Sequence, residues 1–225
     1  MRNKIVKKLI FFVVVIATLV ISSSCKNSID LSVYISELRL GIYECTSEEF
    51  NVSVLVEERE YPFIAEGFVG TIKKVLTVKL EPLNRSFDDA TISLTYDDYN
   101  VTGDFVYSPI SGKYVAEIFV DKLPNSASLN GTLKSGDETF NLELNTKVVS
   151  GNLDYLEVLK KVSEKEDKIV NELFNNTNVS TEIHIRLISE KNKNYYYVGF
   201  TNKSGKIYAY LVDAKTGEIL AKKTA

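Results

Sequence analysis

The sequence predicts a mainly β protein, in which an antiparallel β-sandwich precedes a smaller domain built from a helix and an antiparallel sheet. From about residue 33 to residue 150, apolar residues alternate with polar ones in short segments that Gly, Asn, Asp and Pro residues separate. From residue 151 the apolar spacing changes to three and four residues, which is typical of an amphipathic helix. Strand-like alternation returns at residue 182. We therefore expect domains at 33–150 and 151–225.

The strands of the first domain are predicted from this alternation. Between Phe50 and Glu57, Val residues occupy every second position, which places them on one face of a sheet. Similar segments are Leu38–Tyr43, Val75–Leu80, Thr91–Tyr96, Val101–Tyr107, Tyr114–Val120, Ser128–Leu133 and Phe140–Thr146. Short strands at regular spacing with no helix between them are typical of a sandwich, and we expect an immunoglobulin-like one. The sequence lacks the Cys and Trp signature of antibody domains.

The second domain is predicted to begin with an amphipathic helix. Its apolar positions are Leu156, Leu159, Val162, Ile169, Val170, Leu173 and Phe174. Asp154, three residues before Glu157, is expected to cap the start, and a second such pair at Ser163 and Glu166 leaves a break near Ser163 open. The Asn-rich run 175–178 is expected to end the helix. The strands predicted after it are Glu182–Ser189, Tyr195–Thr201, Lys206–Asp213 and Glu218–Lys222.

The last strands carry a family resemblance. The runs Tyr195–Phe200 and Ile207–Leu220, the second containing Asp213-Ala214-Lys215-Thr216-Gly217, resemble the end of a PepSY domain over about the last 70 residues. Asp213 is suited to accept backbone N–H groups of the turn, and Gly217 to adopt the positive φ that closes it. PepSY domains occur in exported proteins, in propeptides of secreted metallopeptidases and in membrane-tethered regulators. The resemblance therefore implies binding of a protein or peptide, including restraint of a peptidase.

The first 25 residues resemble the signal of a bacterial lipoprotein. A basic segment, Met1–Lys8, is followed by the apolar run Leu9–Ile21 and by Ser22-Ser23-Ser24-Cys25. We expect a signal peptide at 1–24, lipid (palmitate) on Cys25 and a polar tether at 25–32, so that the protein is extracytoplasmic and lipid-anchored to the bacterial cell membrane. The family usually has Leu, Val or Ile where this chain has Ser22.

Two alternatives to lipidation stay open. An uncleaved transmembrane anchor is disfavoured, because the apolar run of 13 residues is shorter than the ~18 residues that span a bilayer. A plain secretory signal would instead leave Cys25 free to pair with Cys45, the other cysteine. With Cys25 acylated, we expect Cys45 to be a small buried apolar residue.

Charge argues against nucleic acid as a partner. The whole chain has a net charge of −3, and removal of the four basic side chains of the signal leaves −7 for a mature part of about 200 residues. A surface of that sign repels phosphate backbones. We therefore expect no nucleic-acid binding.

The sequence offers no catalytic or metal constellation, so we expect no enzyme, cofactor or metal. His184, the single histidine, is expected on the wetter face of its strand with Glu182 and Arg186, as a surface residue. One histidine and one thiol are too few ligands for zinc. Asp88-Asp89, Asp97-Asp98 and Glu57-Glu58-Glu60 are expected to be solvated turns rather than a calcium site.

Three classes of function remain, and the first is a membrane-anchored module that binds or regulates a protein or peptide. For it we expect Tyr196 and Phe200 to belong to the binding surface, because one helix covers one face of a hairpin that is apolar on both. Docking of the second face on the sandwich is the competing interpretation. The alternative function is a structural adaptor or sensor subunit of a cell-envelope complex. An enzyme is the third class, which no residue pattern supports.

Overall fold

The computed structural model describes residues 29–64, 67–174 and 180–225. The predicted signal, Cys25 and the tether up to residue 28 lie outside the described residues. Residues Leu31–Ala225 form one compact unit with its own core. None of the helices described in this range has the length and apolar character needed to cross a bilayer.

The described chain consists mostly of β-strands, which confirms the predicted fold class. The strands are β1 (Ile35–Thr46), β2 (Phe50–Glu60), β3 (Ile72–Pro82), β4 (Thr91–Tyr96), β5 (Tyr99–Asp104), β6 (Val106–Ser108), β7 (Lys113–Phe119), β8 (Ser128–Ser135), β9 (Glu138–Thr146), β10 (Thr181–Glu190), β11 (Lys193–Asn202), β12 (Ile207–Asp213) and β13 (Ile219–Thr224). A 3-10 helix spans Leu31–Tyr34, and the α-helices are α1 (Tyr155–Lys165) and α2 (Asp167–Phe174). The predicted strand Val101–Tyr107 is divided between β5 and β6.

The N-terminal part has two layers of antiparallel strands. One contains β1, β2, β3 and β7 in this order, and the other contains β9, β8, β4 and β5. Alternate residues of both layers form a common core, as their periodicity predicts: Val52, Val54, Val56, Leu76, Val78, Leu80, Ile92, Leu94, Leu129, Leu133, Leu142 and Leu144. The antiparallel sandwich is thus observed, while its immunoglobulin-like character stays a prediction.

One hydrogen-bonded sheet joins the N-terminal and C-terminal parts. Strand β10 lies parallel to β1, with Glu37 opposite His184 and Leu38 opposite Ile185. The remaining neighbours along the sheet are antiparallel, in the order β13-β12-β11-β10 on one side of β1 and β2-β3-β7-β6 on the other. The expected boundary at residues 150–151 falls between β9 and α1, where the periodicity changes, but the sheet continues across it.

The helices cover one face of the C-terminal strands. Asp154 caps α1 by accepting a hydrogen bond from the backbone N–H of Leu156 at 2.8 Å, as its position predicts. The helical segment divides at Glu166, three residues after Ser163. The buried helix residues Val158, Leu159, Val162, Val170 and Phe174 face the sheet. The run 175–178, expected to end the helix, lies outside the described residues.

Candidate functional site

Tyr196 and Phe200, the residues expected to bind a partner, lie on the face that the helices cover. Phe200 is 0% exposed and its ring packs 6.0 Å from that of Phe174 on α2. Tyr196 is 8% exposed and donates a hydrogen bond from its hydroxyl to the backbone oxygen of Leu153 at 3.2 Å. Burial also raises the pKa of the Tyr196 hydroxyl. The expected exposure of these two side chains is therefore wrong, because their alternation places them in the core under the helices.

The opposite face of β11 and β12, together with the end of β10, carries half-buried apolar side chains and is here called the open face. They are Ile188, Tyr195, Tyr197, Ile207 and Leu211. Tyr197 lies flat against the strand, since a Cβ atom added at Gly199 would meet its ring within 2.9 Å. Gly199 therefore makes room for the tyrosine, and the ring presents a broad apolar surface with a polar rim.

A fixed ion pair borders the open face. Arg186 donates two hydrogen bonds to the Glu37 carboxylate, from Nε at 2.6 Å and from Nη2 at 2.5 Å. Its guanidinium also lies 5.4 Å from the centre of the Tyr197 ring. This two-point geometry fixes the orientation of the guanidinium. The Arg186 side chain stays 39% exposed. The hydrogen bonds to Glu37 raise the pKa of Arg186.

Glu37 is held as a carboxylate. Burial acts to raise its pKa, but hydrogen bonds with His184 and Arg186, together with the positive charge of Arg186, lower it from 4.5 to about 2. Glu37 Oε2 lies 3.3 Å from His184 Nδ1. Glu37 thus connects the two basic side chains of β10 to the start of β1.

Glu37, His184 and Arg186 belong to a row of polar side chains, here called the polar row. The polar row continues from β1 across β2 to β3. Arg39 Nε donates to Glu57 Oε1 at 2.9 Å, and the Thr77 hydroxyl donates to Glu57 Oε2 at 2.8 Å. Glu57 is buried, so these two bonds satisfy both of its oxygens away from water. Burial, followed by the charge of Arg39, lowers the pKa of Lys79 further along the same face.

His184 lies beneath the β2–β3 connection, here called the aromatic loop (61–71, of which 61–64 and 67–71 are described). The histidine is 8% exposed, and its ring centre lies 6.0 Å from that of Phe63 in the loop. Its Nε2 atom is 3.8 Å from Glu182 Oε2. The expectation of a surface histidine is wrong, because a loop distant in sequence covers the polar face of β10.

Glu182 fastens the aromatic loop to β10. Its Oε1 atom accepts the backbone N–H of Gly67 at 2.9 Å, inside the protein. Gly67 has φ +82°, and a Cβ atom there would lie 2.8 Å from Ser180. A second carboxylate, that of Glu60, accepts the N–H of Gly70 at 2.7 Å. The loop is thereby held at two points.

The Asp213–Gly217 turn joins β12 to β13. Asp213 Oδ1 accepts the backbone N–H groups of Lys215 and Thr216, each at 2.9 Å. These backbone bonds lower the pKa of Asp213. Gly217 has φ +72°, and its N–H donates to the Asp213 carbonyl at 2.9 Å. The sequence anticipates this geometry, which shapes the fold and offers no reactive group.

The structure does not assemble a metal site from the acidic residues that it describes. Within residues 29–64, 67–174 and 180–225, no three His, Cys, Asp or Glu side chains are grouped so as to hold a metal ion. Asp97 is paired with Lys122 at 2.8 Å, and Glu57 with Arg39. Cys45 is a half-buried thiol beside a small polar cleft that includes Lys79 and Lys113.

Sequence reasoning placed Glu182, His184 and Arg186 on one face but missed their partners. Alternation within β10 is a local signal, and it was sufficient to predict that these three side chains share one face of the strand. Glu37 and Glu57 belong to this row only because β10 pairs with β1 in parallel register. The row is a structural charge network, and the apolar side chains of the open face beside it offer the more adaptable contact surface.

Comparison with known families supports the assignment of the C-terminal part. Residues 161–223, from α1 to β13, match the family model of the PepSY domain, described as "Peptidase propeptide and YPEB domain". This part of the chain therefore contains a PepSY domain, as the resemblance implies. No curated protein matches the chain.

Proposed function

We propose that this protein is an extracytoplasmic lipoprotein that binds a protein or peptide through its PepSY domain and restrains a peptidase. The observation that supports it most is the match of residues 161–223 to a domain described by its occurrence in peptidase propeptides. A propeptide acts by contact with a peptidase and supplies no catalytic groups of its own. We therefore propose a binding role without catalysis.

The open face is the surface we propose for this contact. Tyr195, Tyr197 and Leu211 are each half-buried, so they retain apolar area that a partner can cover. Arg186 is already oriented by Glu37 at the border, which lowers the cost of ordering it in a complex. This surface replaces Tyr196 and Phe200, which lie beneath the helices.

The surface can be tested with a photo-crosslinking amino acid placed at Leu211 in cells of the producing bacterium. The matched control position is Tyr107 on β6, which is 51% exposed and lies at the other edge of the sheet. We expect a specific crosslinked species from position 211 and none from position 107. Equal crosslinking from both positions, or none from 211, would contradict the proposed surface.

Restraint of a peptidase is tested with the identified partner. The double variant Tyr195→Ser/Leu211→Ser removes apolar area from the open face, and Tyr107→Ser is the control. We expect the wild-type protein and the control to slow hydrolysis of a protein substrate, and the double variant to inhibit about tenfold less well. A partner without peptidase activity would contradict restraint while leaving binding in place.

Anchoring is proposed to occur through lipid on Cys25. The supporting observation is the order of basic, apolar and small residues that ends at this cysteine. We expect Cys25→Ala to leave the protein unprocessed or to release it from the membrane fraction, and the mass of the wild-type N-terminal peptide to include acyl chains. A wild-type N-terminus without acyl mass would contradict this proposal.

A further inference from the structure

We infer that the described residues 61–64 and 67–71 of the aromatic loop form a second membrane contact, which inserts apolar side chains into the lipid surface beside the anchor. This inference rests on the proposed anchoring at Cys25. Exposed apolar side chains gather at the loop and the strand ends next to it: Tyr61, Phe63, Ile64, Phe68, Ile72 and Phe119. Phe63, Ile64 and Phe68 are 58%, 52% and 55% exposed, which is unusual for three large apolar residues of one loop.

The strand directions place this loop at the end of the sheet where the described chain begins. Strand β1 starts at Ile35, and Glu37 near its start is opposite Arg59 near the end of β2. The loop follows β2 directly and leads into β3, whose first residue, Ile72, pairs with Glu60. The 3-10 helix that precedes β1 adds Val33, which is exposed, to the same end. We call this end the tether end.

The tether limits how far the tether end can lie from the bilayer. Leu31 follows Cys25 by six residues, which span at most about 20 Å when fully extended. Strand β3 alone has 11 residues and is therefore roughly 36 Å long. With lipid on Cys25, the tether end stays within about 20 Å of the headgroups, whereas the far end can lie up to about one strand length further away.

The chemistry of the loop suits a lipid surface. Aromatic side chains are favoured at the boundary between headgroups and acyl chains, where an apolar ring and a polar rim are both accommodated. The anchor holds the loop at a high local concentration, so that weak insertion is sufficient. The loop is also held at Gly67 and Gly70 by buried or partly buried carboxylates, so little conformational entropy is lost on contact.

Insertion can be measured with tryptophan as a probe, because the chain contains none. The mature chain 25–225 with Cys45→Ser is coupled through Cys25 to a maleimide lipid in phosphatidylethanolamine/phosphatidylglycerol vesicles. Maleimide coupling anchors the protein through Cys25 whether or not cells acylate this residue. A negative result for loop insertion is therefore distinguishable from a negative result for lipidation. Phe68→Trp reports on the loop. Ile110→Trp is the matched control, since Ile110 is fully exposed in the β6–β7 turn at the far end.

We expect the emission of Phe68→Trp to shift to shorter wavelength on coupling and to be quenched at least twofold more by brominated acyl chains than that of Ile110→Trp. Because insertion is apolar, about 1 M salt should leave the quenching unchanged. Adding Ile64→Ser to the Phe68→Trp variant should reduce it, with the far-UV circular dichroism unaltered. Equal quenching at the two positions would overturn the inference, and loss of quenching in salt would overturn apolar insertion.

Discussion

Arg186 and Glu37 form a two-point ion pair across the parallel strands β10 and β1, where the PepSY domain joins the sandwich. Glu37 comes from the first described strand and Arg186 from the tenth, and the pair borders the open face. The pair therefore links the orientation of a side chain at the proposed binding surface to the integrity of the strand junction. A change at this pair should affect stability and binding together.

Replacing Glu37 with Gln should destabilise the protein by about 2 kcal/mol. The variant leaves Arg186 with a weaker acceptor in a partly buried site, and hydrogen bonds to charged groups are worth more than neutral ones. The measurement is the free energy of unfolding in urea. The control is Glu117→Gln at the more exposed Arg59–Glu117 pair, which should cost less than about 1 kcal/mol. Equal losses in the two variants would argue against a special role for Glu37.

The same carboxylate makes stability depend on pH. The pKa of Glu37 is about 2 in the folded protein and near 4.5 in the unfolded chain, so its charged form stabilises the fold. This contribution is fully present above about pH 4.5 and is lost as the pH falls from there toward 2. The difference in urea midpoint between wild type and Glu37→Gln should therefore shrink between about pH 6 and pH 3. A constant difference over that range would contradict the lowered pKa.

Truncating Phe200 should destabilise the PepSY domain instead of weakening a partner contact directly. Phe200→Ala removes a ring that is fully buried between the sheet and Phe174, and such changes cost about 3 to 5 kcal/mol. Tyr195→Ala on the open face should cost less than about 1 kcal/mol. Thermal unfolding compares the two variants. A small loss for Phe200→Ala would show that the helices do not pack on this face.

Gly217→Ala should destabilise the protein by about 1 to 2 kcal/mol. The positive φ of +72° is unfavourable for Ala, and the added Cβ atom would approach Lys161 closely and Leu153 Cδ1 to 3.1 Å. Gly205→Ala separates the two effects, because Gly205 has φ +78° with no described atom within 4 Å of the added Cβ. We expect the free energy of unfolding of Gly205→Ala, measured in urea, to fall only by the cost of the unfavourable backbone conformation. A larger loss for Gly205→Ala would contradict the packing contribution at Gly217.

Removing the Glu182 acceptor should release the aromatic loop. Glu182→Ala leaves the Gly67 N–H without the carboxylate that receives it at 2.9 Å, whereas Glu182→Gln keeps an oxygen acceptor in place. Amide hydrogen exchange at Gly67 should rise about tenfold or more in the Ala variant and less in the Gln variant. Unchanged exchange in both would mean that this bond does not hold the loop.

Local patterns predicted most of the fold. The strand Thr91–Tyr96 agrees with β4 at both ends, and the segment from 156 to 174 is helical as its periodicity indicates. Asp154 was identified as a cap because its role depends on neighbours within three residues. Such features are set by propensity and periodicity over a few positions, which a single sequence displays.

The candidate site depended on contacts between distant residues, and these were missed. The alternation at β11 and β12 showed that both faces are apolar but not which one the helices cover, so Tyr196 and Phe200 were assigned to the wrong face. His184 was expected at the surface because nothing near it in sequence reveals that Phe63 and Gly67 lie above β10. Pairing of β1 with β10 had no local signal at all, since parallel strands are joined without a tight turn.

The parallel junction also determines the order in which this chain can fold. Glu37 and His184 are 147 positions apart, so the segment of β1 that receives β10 stays without this partner until β10 has been synthesised. Strand pairs between such distant segments form slowly. Until they form, the unpaired strand edge can associate with other chains. Strand β1, the first that the structure describes, is completed only when β10 has been synthesised, so the nascent protein is most vulnerable to aggregation before residues 181–190 are available.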